Sequence, residues 1–270
     1  MNQTTKGIGI ALIGSACFGL AGPLAKMIYA YGVTPSFMLA VRFGIAAIVL
    51  WLYVAVNRQK IDFHMDRHQL LLLFFLGAIC NVVGTATYFV ALETVPVSLG
   101  IMIFYTYPFV VNLLTVMIYH HKIALLQKLA LAAAFGGLLL MLSLGNKAPS
   151  LPGVLLCFVS GLSSCVYVLL LERPRIQGLP VVLMTAVVNS FSSLSFWVYC
   201  AVAGQVEFAL PGMAWLYLAL LALFPTSLGV LCWTRGVRMI GAAKASIIGV
   251  FEPLEGVLIG CIFLAEGMNG

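Results

Sequence analysis

The sequence predicts an all-α fold, a polytopic membrane helix bundle made of two inverted five-helix repeats. Three observations carry that prediction: nine apolar runs of membrane-spanning length, a shortage of polar surface, and self-similarity at an offset of 145 residues. Hydrophobic residues make up 63% of the 270 and charged residues 8%, too little polar surface to cover a water-soluble globule of this size. A helical run of about 20 apolar residues matches a hydrocarbon core about 30 Å thick.

The runs fall near 7–29, 35–56, 70–91, 98–119, 125–144, 151–171, 180–203, 213–234 and 243–264. The first follows only MNQTTK and exceeds the apolar region of a cleavable signal peptide, so it reads as an uncleaved helix. The second carries Arg42, about eight residues in. The third has a polar face, Asn81, Thr85 and Tyr88, at i, i+4 and i+7, and the fourth offers Tyr105 and Asn112 around Pro108. The fifth is the apolar stretch of KIALLQKLALAAAFGGLLLML. The sixth presents Ser160, Ser163, Ser164 and Tyr167, the seventh Thr185, Asn189 and Ser192, the eighth Thr226 and Trp233. The ninth contains GVFEPLEGVLIG, with Glu252, Pro253 and Glu255 near the bilayer centre.

The longest connection, NRQKIDFHMDRHQ at 57–69, is too short for a domain, so chemistry is confined to the membrane and its faces. A separate soluble catalytic domain is excluded. No GxxxxGK[ST] occurs, which argues against direct ATP drive, and no cofactor is implied. All seven cysteines fall inside apolar runs without a CxxC pair and read as small buried hydrophobes. His120 and His121 lack further ligands at metal spacing and read as interface residues, so no metal site is expected. The net charge of +6 is explained by position: Lys6, Arg58, Lys60, Arg67, Lys122, Lys128, Arg173, Arg175, Arg235, Arg238 and Lys244 share one side. That bias puts the N-terminus in the cytoplasm and gives no reason to invoke nucleic acid.

YFVALETVPVSLGIMIFYTYP (88–108) aligns without a gap to WTRGVRMIGAAKASIIGVFEP (233–253), matching Pro108 to Pro253. Further back, GIALIGSACFG from Gly9 resembles GVLLCFVSGLS from Gly153 with a one-residue change in offset. The first repeat is expected over 1–148 with five spans and the second over 149–270 with four. An odd number of spans per copy inverts the second copy and puts a site between the copies at the midplane. By the same logic a tenth span is missing after FLAEGMNG: either the sequence is shortened or the protein manages with nine.

Together these segments resemble the EamA family of the drug/metabolite transporter superfamily. The resemblance rests on GIGIALIGSACFGLAGPLAK, LAVRFGIAAIVLW with Arg42, YFVALETVPVSLGIMIFYTYP and AAKASIIGVFEPLEGVLIGCIFLAEG with its closing Glu266. Two features depart from the pattern: HHK stands in the first half where the second has the closing acid, and the tenth helix is absent. The resemblance implies a bundle of two five-helix halves that exports small metabolites, amino acids among them, across the bacterial inner membrane.

Polar groups in spanning helices must face protein or a water-filled cavity. Candidate substrate-binding residues are therefore Asn81, Thr85, Tyr88, Tyr105, Ser163, Tyr167, Asn189 and Trp233. The competing reading is helix contact, since hydroxyls and amides join membrane helices with about 0.6–2 kcal/mol each. A carboxylate at the bilayer centre costs roughly 3 kcal/mol. Glu252 and Glu255 are thus candidates for coupling or charge pairing with Arg42, which could instead snorkel or bind an anionic group of the substrate. Pro108 and Pro253 are expected to kink their helices.

The leading expectation is a secondary transporter working by alternating access on a small-molecule substrate in the lipid bilayer. Protons are one coupling option, beside exchange and facilitation, and oligomeric state is left open. The alternatives are a non-transporting or incomplete membrane protein of the same fold, or an intramembrane enzyme acting on lipid.

Overall fold

The computed structural model describes residues 3–59, 61, 63–91, 94–95, 100, 103–119, 136 and 150–252. Among the described residues six helices are long and apolar enough to cross a membrane: Gln3–Tyr29, Pro35–Val56, Arg67–Ala91, Leu151–Leu170, Val181–Ala203 and Gly212–Ile240. They match the first, second, third, sixth, seventh and eighth predicted spans. The fourth is seen as Tyr107–Tyr119 and the start of the ninth as Ala242–Gly249. The fifth span, Pro253, Glu255 and Glu266 lie outside the described residues, apart from one residue of the fifth.

Local chemistry sets the ends. Thr34 caps the second span by accepting from Phe37 N at 3.4 Å, with Pro35 supplying a first-turn φ. Asp66 and Gln69 form a reciprocal capping box before the third, at 2.6 and 2.9 Å. The eighth runs to Ile240 rather than 234, because Arg238 folds its guanidinium onto the carbonyls of Leu179 and Ile176, at 2.6 and 2.8 Å. Arg238, expected in a loop, is therefore part of the span's anchored end. Gly241, at φ 86°, then turns the chain, and Glu172 accepts from Ala242 N at 2.5 Å to cap the ninth helix.

Packing between the halves is close because small residues sit where helices meet. The second and seventh spans lie together along their length: Gly44 faces Ser193, Ser193 Oγ donates to Ala40 O at 3.0 Å, and Phe43 stacks on Phe196. The first and eighth spans meet through Gly7, Ala11 and Gly14 against Gly229, Trp233, Gly236 and Ile240. This is the small-residue spacing that lets membrane helices approach backbone to backbone. Outward, Leu52, Leu194 and Val202 are exposed, as a lipid-facing surface requires.

Of these six long helices, three are not continuous α-helix. The first breaks at Leu20, just ahead of Pro23. The third contains a π-helical segment at Phe75–Asn81 and the eighth another at Ala222–Gly229. In the eighth, Pro225 has no N–H to give Leu221, and the Thr226 hydroxyl takes that carbonyl instead at 2.9 Å. In the third, where no proline occurs, Gly77 O accepts from Ser192 Oγ of the seventh span at 2.9 Å. At the offset of 145 found in the sequence, Asn81 corresponds to Thr226, Gly84 to Gly229 and Tyr88 to Trp233. The two π segments overlap in that register.

Candidate functional site

The fourth span loses α-helical geometry at Tyr105 and Thr106, where Phe109 N reaches back only to Thr106 O at 3.0 Å. Pro108 explains the break, since it gives no donor to its own preceding turn. In the ninth span Val250 is a turn whose N–H reaches Ile247 O at 3.2 Å. Tyr105 and Val250 are equivalent at the offset of 145, as are Tyr107 and Glu252. Asn112 holds the two helices together, donating through Nδ2 to Pro108 O at 2.8 Å and to Ala243 O at 3.3 Å.

The broken segments gather an aromatic group. Tyr88, Tyr105 and Tyr107 surround Phe104, with ring centroids 5.5, 5.2 and 5.4 Å from it. Tyr105 and Tyr107 are buried and half-buried Glu252 hydrogen-bonds with Tyr105. Glu252 also lies within electrostatic reach of Tyr88, Tyr107 and Arg42. Trp233 packs edge-on against Phe18 at 6.1 Å and covers Gly249 from one side while Tyr107 covers it from another. A Cβ at Gly249 would stand 2.9 Å from Trp233 Cη2 and 3.0 Å from Tyr107 Oη, so glycine is what lets both rings reach this position.

Arg42 does not run along its helix to the interface. It is 9% exposed, and its Nε donates to Thr226 Oγ1 at 3.0 Å across the boundary between the halves. Its guanidinium carbon lies 5.0 Å from the centroid of the Phe43 ring. Asn189 is buried in the seventh span, and its Nδ2 has no hydrogen-bond partner among the described residues.

Of the residues singled out from sequence, the structure brings together Tyr88, Tyr105, Glu252 and Arg42, with Trp233 adjoining through Tyr107 and Gly249. Others are engaged in helix contacts. Asn81 donates to Ser192 Oγ at 2.9 Å, Thr85 bonds Asn81 O at 2.7 Å in its own helix, and Ser163 donates to Cys80 O at 2.7 Å. Tyr167 lies near Cys80 and Arg238 rather than among the other tyrosines. Sequence reasoning passed over Phe104 and Tyr29, which is close to Arg42, and treated Thr226 only as a polar position. Pro225, one residue ahead of Thr226, was the available signal for a disturbed helix at that depth.

Comparison with known proteins follows the same lines. The model of the EamA-like transporter family matches residues 5–143 and 151–270. The uncharacterized transporter YyaM of Bacillus subtilis is 29% identical over 93% of this chain and 84% of its own. An uncharacterized transporter of Archaeoglobus fulgidus is 25% identical over 71% of this chain and 67% of its own. A solved crystal structure superposes with a TM-score of 0.77 at 16% identity, covering 96% of this chain and 89% of that one, which bears on the fold alone.

Proposed function

The chain belongs to the EamA-like transporter family, and from that premise we propose that it is a secondary transporter exporting small metabolites, amino acids or related compounds among them. One observation carries the reading: charged and aromatic groups from both halves, Arg42 and Tyr105 from the first and Glu252 from the second, converge where the fourth and ninth spans lose their helical geometry. Broken spans offer backbone polar groups at membrane depth, which is tolerated only against protein or a water-filled cavity. Two ionisable groups there are costly unless they serve each other or a ligand.

In this mechanism the two halves rock around the central groups, exposing them to one face and then the other. The aromatic rings supply apolar contact for the substrate's body, while Glu252 binds an amine or exchanges a proton. The basic bias supports a cytoplasmic N-terminus, and the family resemblance supports a bacterial inner membrane and outward transport. Purified protein in liposomes, loaded with an unlabelled amino acid and given the labelled one outside, tests this. Saturable accumulation above protein-free liposomes for aromatic, aliphatic or sulfur-containing amino acids is the expected result. Its absence across the whole panel refutes the amino-acid reading.

A further inference from the structure

Resting on the reading that the central groups bind an amino acid or a related compound, we infer that Thr226 is a positioning residue that aims Arg42 at the carboxylate end of a zwitterionic substrate. The substrate then bridges the halves, carboxylate to Arg42 in the first and amine to Glu252 in the second.

The argument starts at Pro225. Its missing N–H leaves Leu221 O without its usual α-helical donor, and the Thr226 hydroxyl gives its single proton to that carbonyl at 2.9 Å. The lone pairs of the hydroxyl are thereby turned to accept, and Arg42 Nε donates to them at 3.0 Å. Thr226 is fully buried, so this geometry is not exchanged for one with solvent. Among the described residues this bond ties Nε to the eighth span; in this arrangement the outer fork of Nη1 and Nη2 is the part of Arg42 that meets the substrate. The Phe43 ring, 5.0 Å from the guanidinium carbon, limits the plane from one side.

A planar fork fixed at Nε matches the two oxygens of a carboxylate, and an ammonium in its place would not. Glu252, within electrostatic reach of the same guanidinium, repels a carboxylate and attracts an amine. Without substrate the two charges offset one another across the centre. A zwitterion substitutes for that attraction with one favourable contact at each end, whereas a simple acid or a simple amine leaves one of the two charges unanswered. Thr226 corresponds to Asn81 at the offset of 145, but Asn81 donates to Ser192 instead, so the first half has no second device of this kind at the matching position.

The test uses counterflow in liposomes with the amino acid that accumulates most strongly in the wild type. Its carboxamide, which lacks the carboxylate, and its deaminated acid, which lacks the amine, serve as unlabelled competitors. Wild-type protein, Thr226→Val and Thr226→Ser are compared, each checked for monodispersity by gel filtration. Thr226→Val is expected to lose about tenfold of the preference for the amino acid over its carboxamide, the size of one hydrogen bond to a charged group, while its preference over the deaminated acid stays. Thr226→Ser, which keeps the hydroxyl, restores the wild-type pattern. Should Thr226→Val fail to fold, Arg42→Lys, which keeps the charge but lacks the Nε–H and the fork, is expected to show the same selective loss. An unchanged preference, or an equal loss against both competitors, overturns the positioning role while leaving transport intact. Absence of counterflow by every amino acid in the wild type overturns the substrate reading itself, and this inference with it.

Discussion

Replacing Gly14 by alanine is expected to destabilise the protein, while the same change five residues earlier, at Gly9, does not. A Cβ on Gly14 would lie 2.7 Å from the backbone nitrogen of Trp233, 3.0 Å from its Cα and 3.1 Å from Gly229 O. All three are backbone atoms, so no side-chain rotation relieves the contact. The first span must retreat from the eighth by about 0.7 Å to restore ordinary contact, and overpacking of this kind costs roughly 1–3 kcal/mol. A Cβ on Gly9 meets nothing within 4 Å. Both substitutions gain the same ~1 kcal/mol of helix propensity, so their difference isolates the contact. Translated at about 2–4 °C per kcal/mol, Gly14→Ala should melt roughly 2–12 °C below Gly9→Ala. Melting of the detergent-solubilised proteins, followed by loss of the gel-filtration peak on heating, measures this. Equal melting of the two variants would refute the backbone-to-backbone approach of the first and eighth spans. Because Trp233 moves with that contact, Gly14→Ala also tests whether the aromatic wall depends on the inter-half interface.

Other expectations follow from particular contacts. Glu252→Gln keeps the size and hydrogen-bonding reach of the side chain but removes its charge, and should abolish counterflow with normal membrane levels; normal transport by that variant would remove Glu252 from the mechanism. Ser192→Ala leaves Gly77 O and the Asn81 amide without their partner, and a loss of about 1–2 kcal/mol is expected as a lower melting temperature, with no change if water replaces the hydroxyl. Gly241→Ala forces an L side chain to φ 86° and puts its Cβ 3.2 Å from the Glu172 oxygen that caps the ninth helix, so it should cost about 1–2 kcal/mol by the same assay.

Span positions were legible because hydrocarbon length and composition constrain them directly: Pro35–Val56 begins and ends where its apolar run does. The self-similarity was legible for the same reason, as matched prolines disturb helices wherever they occur. Less could be read of the site. Asn81 and Ser163 look from sequence like cavity-lining groups, yet their hydrogen bonds go to neighbouring helices, and helical spacing does not tell those destinations apart. The partner of Arg42 was unreadable because Thr226 is 184 residues away and its orientation depends on an unmade bond at Pro225. The π segment at Phe75–Asn81 left no proline to announce it; the hydroxyl that satisfies its Gly77 carbonyl comes from another span.

The paired π segments have a mechanical consequence. A π turn accommodates one residue more than the α-helix around it, and one residue turns the succeeding chain by about 100° relative to what precedes it. Each such span is therefore two helices whose faces are set by different clocks, one reading from each membrane surface. Both copies carry such a segment in overlapping register, so each divides its span at a similar depth. The copies hold it differently, one by proline and its own threonine, the other by a serine from a neighbouring span. Removing one residue from Phe75–Asn81 would rephase Tyr88 against everything preceding it, so that a one-codon deletion in this span is a rotation of the site rather than a shortening of the helix.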